Sequence, residues 1–576
     1  MLRRLLPRAT ACCLLVLAGP ALAAPAIRVD QLGFAPGARK LAVVEDAPAA
    51  GRFSIVRASD GHVVLRGELT APATWAPAAR EAALADFSAL SAPGLYRIEV
   101  PGVPASDAFR IDRDAYAGLA DAALKAYYYN RASIALDAAH AGAYARDAGH
   151  PDTQVLIHPS AASPGRPTGT VVSAPKGWYD AGDYNKYVVN SGITTWTLLS
   201  AWMHYPQFFR ARDIGIPESG NAVPDVLDET WWNLEWMLAM QDPGDGGVYH
   251  KLTNLSFDGM VMPAQANAPR YMVGKGTAAT LDFAAVMAQA ARAYAPYEAQ
   301  FPGVPARMRA AAEAAWRWAQ AHPDVAYVQP ADVRTGGYND SQFADEFAWA
   351  AAELYLLTGD AAYYAQFERH AATPGVPSWA DVGALGWISL ANDLPRLPDD
   401  AARARVRAAV EGEALRLATV WRQSPWRVSM QSEDFRWGSN ADALNQALVL
   451  LQGYRLSGKR EQLDAAQSQL DYVLGRNPLG VSFVTGQGQR SPMHIHHRPS
   501  QADGIAAPVP GWLSGGPNPG QQDTADCGNV RYESKLPALS WLDEECSYAS
   551  NEVAINWNAP LVYTAAALQA LTPKRP

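Results

Sequence analysis

Two aspartates, Asp180 and Asp183, stand three residues apart in GWYDAGDYNKY, residues 177–187, on a loop that precedes a helix expected to start near Ser191. Like charges held this close raise the proton affinity of one of them, which suits a general base that grips and deprotonates a water. Asp and Gly are also turn formers, and taken alone the same stretch reads more simply as a cluster of Asx-turns. Glu552 lies at the other end of the chain, in WLDEECSYASNEVAINWNAP, residues 541–560, between Tyr548 and Trp557. An isolated loop glutamate is ordinarily solvated surface. A third stretch, SFVTGQGQRSPMHIHHRPS at 482–500, supplies His494, His496, His497 and Arg498. Clustered histidines suggest a metal, but no carboxylate or cysteine is spaced here to complete a site, and Arg498 would repel a cation. Hydrogen bonding to a hydroxyl-rich substrate is the better reading.

The elements that must carry these residues change character along the chain. Residues 1–23 read as a secretory signal: basic MLRRLLPR, apolar ATACCLLVLAGP, then Ala21-Leu22-Ala23 as the cleavage site. The mature chain is therefore expected to be secreted or periplasmic, with no membrane span. From 24 to 112, short β-rich runs such as KLAVVED, RFSIVRA and GLYRIEV alternate with Gly, Pro and Ser-Asp-Gly turns, the pattern of a small β-sandwich. From 113 to 576 the texture is helical, in about a dozen segments with almost no strand signal. The last helix is expected over 561–571, with Asn558 as its N-cap and Pro560 in its first turn. No fixed repeat period marks a solenoid, so a closed ring of paired helices is expected. Long polar loops, 145–190, 243–275 and 476–551, join the helices and hold the candidate residues.

Composition narrows the function. The chain has 576 residues, 49% hydrophobic and 18% charged, with a net charge of −9, so a large core is possible and a basic nucleic-acid surface is not expected. Aromatics reach 10%, with 18 Trp, and exposed aromatic faces stack on sugar rings. Cys12 and Cys13 leave with the signal. Cys527 and Cys546 could then close a disulfide in an oxidising compartment or remain reduced, depending on a separation that sequence does not give.

Together these stretches resemble glycoside hydrolase family 9, the cellulase family with an (α/α)6 barrel, and the resemblance spans most of the chain. IRVDQLGFAPGARKLAVV, from Ile27, is similar to the immunoglobulin-like domain that precedes the barrel in one branch of that family. GWYDAGDYNKY resembles the family's base motif, the 482–498 stretch its histidine-arginine signature, and the 541–559 stretch its terminal signature. The resemblance implies a multi-domain protein, an immunoglobulin-like β-sandwich followed by an all-α (α/α)6 barrel. It implies an inverting hydrolase in which Asp183 activates a water, Asp180 helps hold it and Glu552 protonates the leaving oxygen. His496 and Arg498 would bind sugar hydroxyls, Asp543 would occupy a second key acidic place at the substrate, and Tyr548 and Trp557 would be ring-stacking platforms.

The expected activity is that of a monomeric endo-β-1,4-glucanase on cellulose-like or mixed-linkage glucan. Exo-acting alternatives of the same fold are a cellobiohydrolase or a β-glucosaminidase, and a catalytically dead carbohydrate-binding module is argued against by the three carboxylates. No cofactor is expected for the chemistry. Structural calcium occurs in relatives, but no ligands are assigned. Zinc is not expected, because His140, His150 and His158 have no cysteine beside them. The chain ends at Pro576 without a further carbohydrate-binding module, which favours soluble or amorphous glucan over crystalline cellulose.

Overall fold

The computed structural model describes residues 25–47 and 51–572. The signal-peptide reading lies outside the described residues. Nine strands form two facing sheets. One has the order β1-β3-β7-β6, from Ala26–Arg28, Leu41–Glu45, Arg80–Asp86 and Ala73–Trp75. The other is β2-β9-β8-β4-β5, from Gly33–Phe34, Phe109–Ile111, Gly94–Glu99, Arg52–Arg57 and Val63–Glu68. Inward residues alternate along β8, where Tyr96 and Ile98 are buried between exposed neighbours. Phe34, Phe87 and Phe109 pack edge-on or tilted at the centre of this core.

Twelve helices of ten residues or more follow. They are α1 Ala117–Tyr129, α2 Val188–His204, α3 Asp225–Ala239, α4 Thr277–Tyr294, α5 Val304–Ala321 and α6 Ala344–Thr358; then α7 Ala361–His370, α8 Gly383–Asn392, α9 Asp400–Gln423, α10 Ser439–Ser457, α11 Arg460–Val473 and α12 Ile555–Leu571. The even-numbered helices form the inner ring. α2 packs on α4, α4 on α6, α6 on α8, and α12 closes the ring between α10 and α2, while outer α9 packs on both α8 and α10. Sequence sets the two layers apart. α4, TAATLDFAAVMAQAARAY, buries nearly every residue, as an inner helix must. α9 buries a single stripe, Val406, Val410, Leu417 and Trp421, as an outer one does. This is the (α/α)6 barrel preceded by an immunoglobulin-like sandwich.

Three local expectations are corrected. The loops at 145–190 and 243–275 are not strand-free. They contribute β10 Val155–Ile157, β11 Val171–Val172, β12 Lys186–Tyr187, β13 Tyr249–Thr253 and β14 Tyr271–Lys275, paired as one sheet β11-β10-β14-β13-β12. These strands have two to five residues, and β13 is buried on both faces, so no alternation announces it. The helix after the aspartates begins at Val188 rather than near Ser191, entered directly from β12. Finally, α12 begins at Ile555, so Pro560 lies inside the helix and Asn558 is not its cap. Its start is fixed by tertiary structure: the Ile555 N–H donates to the Asp180 carbonyl at 2.8 Å. Asn558 instead accepts from Leu513 N–H and donates to the Ala123 carbonyl.

The sandwich is bound to the barrel through the 476–490 segment. Gln31 donates to the Gly480 carbonyl and accepts from the N–H groups of Gln489 and Arg490. Arg80 donates to the Pro478 carbonyl, and Trp75 lies 5.2 Å from Trp426 between ring centroids.

Candidate active site

A cleft of about 980 Å³ opens over one end of the inner ring. Asp183, Tyr338, Trp379, Trp437 and Glu552 all line it, and each precedes an inner helix: α2, α6, α8, α10 and α12. Helix N-termini carry partial positive charge, which suits a site rich in carboxylates.

The base motif is held against the far end of the chain by close backbone contact. A Cβ on Gly182 would stand 2.2 Å from the His496 carbonyl oxygen, so only glycine fits. Gly182 N–H donates to Glu552 Oε1 at 3.4 Å, and His496 pairs with Glu552 in a parallel bridge. Residues 370 apart in the chain are thus in direct contact.

The two aspartates present themselves differently. Asp183 lines the cleft, and its Oδ2 accepts from Asn185 Nδ2 and from the Tyr187 hydroxyl. Asp180, expected to share the water, is 0% exposed and is not among the lining residues. Asn190 Nδ2 reaches both its oxygens at 3.0 Å, and the Tyr338 hydroxyl donates to Oδ2 at 2.9 Å. Burial, then the neighbouring Asp183 charge, pushes the Asp180 carboxyl well above the usual range. Glu552 is also raised, to about 8, by burial first and the Asp183 charge second, with Arg498 opposing. A carboxylic acid still protonated near neutral pH, lining the same cleft as a second carboxyl group, can donate a proton while the other accepts one.

His496 Nδ1 lies 2.6 Å from the Glu545 carbonyl. A carbonyl only accepts, so Nδ1 carries the proton and Nε2 is left as an acceptor. Burial lowers the basicity of this ring and keeps it neutral. Arg498 is fixed by the carbonyls of Asp258 and Gly182, and it also lines the cleft. Tyr548 and Trp557 line the cleft as well; Tyr548 donates to Asp526 and stands 5.4 Å from Trp437.

Asp543, expected at the substrate, is not among the lining residues. Its carboxylate accepts from Met493 N–H, His494 N–H and Asn551 Nδ2, which pins the histidine-arginine stretch to the loop before Glu552. His497 is buried between Ser500 and Asn130, away from any metal role. Among the described residues no group of three or more His, Cys, Asp or Glu side chains is placed to hold a metal ion. His140, His150 and His158 are paired separately, to Gly215, Tyr179 and Ser160 with Asp332. Cys527 and Cys546 are joined in a disulfide, with Cα atoms 5.1 Å apart.

Sequence reasoning missed Tyr338, Trp379, Trp437 and Phe257, the last two 41% and 48% exposed at the cleft. For Tyr338, Trp379 and Trp437 the available signal was position, an aromatic residue in a turn a few residues before an apolar helix; Phe257, between β13 and β14, carried none.

Comparison with known proteins fits this geometry. The family model described as glycosyl hydrolase family 9 matches residues 116–565, and that of the cellulase N-terminal ig-like domain matches 22–105. A xyloglucan-specific endo-beta-1,4-glucanase of Bacteroides ovatus is 45% identical over 569 residues, covering 95% of this chain and 94% of the relative. Endoglucanase D of Acetivibrio thermocellus is 32% identical, covering 94% of this chain and 83% of the relative. The solved structure titled Bacteroides ovatus GH9 superposes with a TM-score of 0.89 at 43% identity, covering 95% of this chain and 99% of that one.

Proposed function

The chain belongs to glycosyl hydrolase family 9 and is a glycoside hydrolase of the endo-β-1,4-glucanase kind, and on that premise we propose that it is a secreted or periplasmic enzyme that cuts soluble β-1,4-glucan with inversion, using Asp183 as base and Glu552 as acid. The observation that carries this reading is the pairing of a raised acid, Glu552, with Asp183 in one aromatic-lined cleft. A glucan chain lies along the cleft with its rings against Trp379, Trp437, Tyr548 and Trp557. His496 Nε2 accepts from a sugar hydroxyl and Arg498 donates to another. Glu552 gives its proton to the glycosidic oxygen as the bond to the anomeric carbon breaks. Asp183 takes a proton from a water, whose oxygen attacks that carbon from the opposite face. Inversion requires the two carboxyl groups roughly 6.5–9.5 Å apart, leaving room for the water. The product is the α-anomer, and both carboxyl groups then reset by proton exchange with solvent. Asp180 acts from behind, orienting Tyr338 at the cleft wall.

Among β-1,4-glucans, xyloglucan joins the cellulose-like and mixed-linkage substrates. The support is the 45% identity, over 95% of this chain, to a relative described as xyloglucan-specific. Viscosity and product length on carboxymethylcellulose, mixed-linkage glucan and xyloglucan test the assignment. A rapid viscosity fall with products of several lengths is expected. Release of only monomers or dimers would overturn endo attack. Retention of near-normal turnover in Asp183→Ala or Glu552→Ala would overturn the residue roles.

A further inference from the structure

Lys251 is a buried cation for which the hydrolysis above has no use. It lies at the centre of β13 and is 0% exposed. Its ammonium donates to Gln329 Oε1 at 2.9 Å, Thr335 Oγ1 at 3.2 Å and the Gly336 carbonyl at 2.7 Å. Three protons meet three oxygens, all of them neutral. A buried charge satisfied only by neutral dipoles is costly and calls for an explanation. Burial lowers its proton affinity to about 7, and the charge that works the other way is Asp183.

Two short hydrogen-bond routes lead from this ammonium to Asp183. In the first, Thr335 Oγ1 lies 2.7 Å from Thr253 Oγ1, Thr253 reaches Asn185 Oδ1 at 2.9 Å, and Asn185 Nδ2 donates to Asp183 Oδ2. The donor-only ammonium makes Thr335 Oγ1 an acceptor and leaves its hydroxyl proton for Thr253, while the single Thr253 proton serves Asn185 Oδ1 or the Asn254 carbonyl at 2.8 Å. In the second route Gly336 N–H donates to the Tyr187 hydroxyl at 3.1 Å, and that hydroxyl donates to Asp183 Oδ2 at 3.2 Å. Both routes end on Oδ2, and among the described residues no donor reaches Oδ1.

We propose that Lys251 is a positioning residue for the base: it fixes Thr335 and Gly336 so that Asn185 and Tyr187 lock Asp183 Oδ2, which aims Oδ1 at the water. This rests on Asp183 being the base. Lys251 is otherwise faced by the rings of Tyr187 and Tyr327, each 5.6 Å away. Asp183 is also faced by Asp180, Glu552, Asp258 and His496 and by Tyr338, none of which a change at Lys251 removes.

The test is kcat and KM on soluble β-1,4-glucan for Lys251→Met, Lys251→Arg and Thr335→Val, with Asp183→Ala in parallel. Lys251→Met should lower kcat about tenfold or more with little change in KM, because the lost alignment acts on the reacting atoms. Lys251→Arg, which keeps a cationic donor, should recover part of that kcat. Thr335→Val, which breaks one route and keeps the ammonium, should lower kcat with KM in place. If Lys251→Met does not fold, Thr335→Val decides: a wild-type kcat in Thr335→Val overturns the inference. So does a Lys251→Met enzyme with a wild-type kcat or whose loss lies in KM, or a Lys251→Arg enzyme no better than Lys251→Met. If Asp183→Ala is itself active, the assignment of the base has failed first.

Discussion

Glu552 sets the alkaline side of the activity at the residue scale. Its carboxyl is raised to about 8, and only the protonated form can serve the leaving oxygen. The raised group therefore gives activity below that pH and loses it as the pH rises through it. kcat/KM is expected to fall with a midpoint near 8, and a profile still rising there would contradict the assignment. Glu552→Gln keeps the shape but cannot donate the proton. It should lose about 10²–10⁴-fold on a glucan, and far less on an aryl glycoside whose leaving group needs no proton. Equal losses on both substrates would mean that Glu552 is not the acid. Asp180 behaves differently, because it touches Tyr338 and Asn190 rather than the cleft. Asp180→Asn should cost much less turnover than Asp183→Asn, measured as kcat on the same glucan.

The disulfide loop is the element most exposed to test. Cys546 follows Glu545, whose carbonyl orients His496, and Cys527 follows Asp526, which accepts from Tyr548. Opening the bond by Cys527→Ser with Cys546→Ser should destabilise the protein by about 3 kcal/mol in the chain-entropy account. It should also raise KM more than it lowers kcat, because His496 and Tyr548, both proposed to contact the sugar, lose their supports. Thermal melting and steady-state kinetics read both. How much of this was legible in sequence follows from the range of the forces involved. The sandwich strands alternate with turn residues, and the long helices carry their burial in their own periodicity. The sheet β10–β14 does not, because its strands are short and β13 at its heart is covered on both faces. The start of α12 was misread because a partner 375 residues away in the chain, the Asp180 carbonyl, outweighs the local Asn-Ala-Pro signal. Asp543 carried an acidic-site pattern, yet its carboxylate is engaged by three backbone and amide donors away from the cleft. Motifs name the residues that touch substrate less reliably than they name the loops that form the site.

For the molecule as a whole, the barrel brings the two ends of the catalytic domain together and the sandwich braces the segment between them. Gln31 holds the N–H groups of Gln489 and Arg490, a few residues before His496 and Arg498. A barrel fragment spanning 113–576, or Gln31→Ala in the full chain, should melt at lower temperature and bind glucan more weakly. Melting and KM equal to the full chain would show that the sandwich is dispensable. Everything in the proposed chemistry rests on a water attacking from the face opposite Glu552. The most direct measurement is proton NMR of the first products from a β-1,4-glucan oligosaccharide, recorded before mutarotation. The α-anomer should appear first and relax towards the equilibrium mixture. An initial β-anomer would require retention, and would contradict Asp183 as the base that activates water.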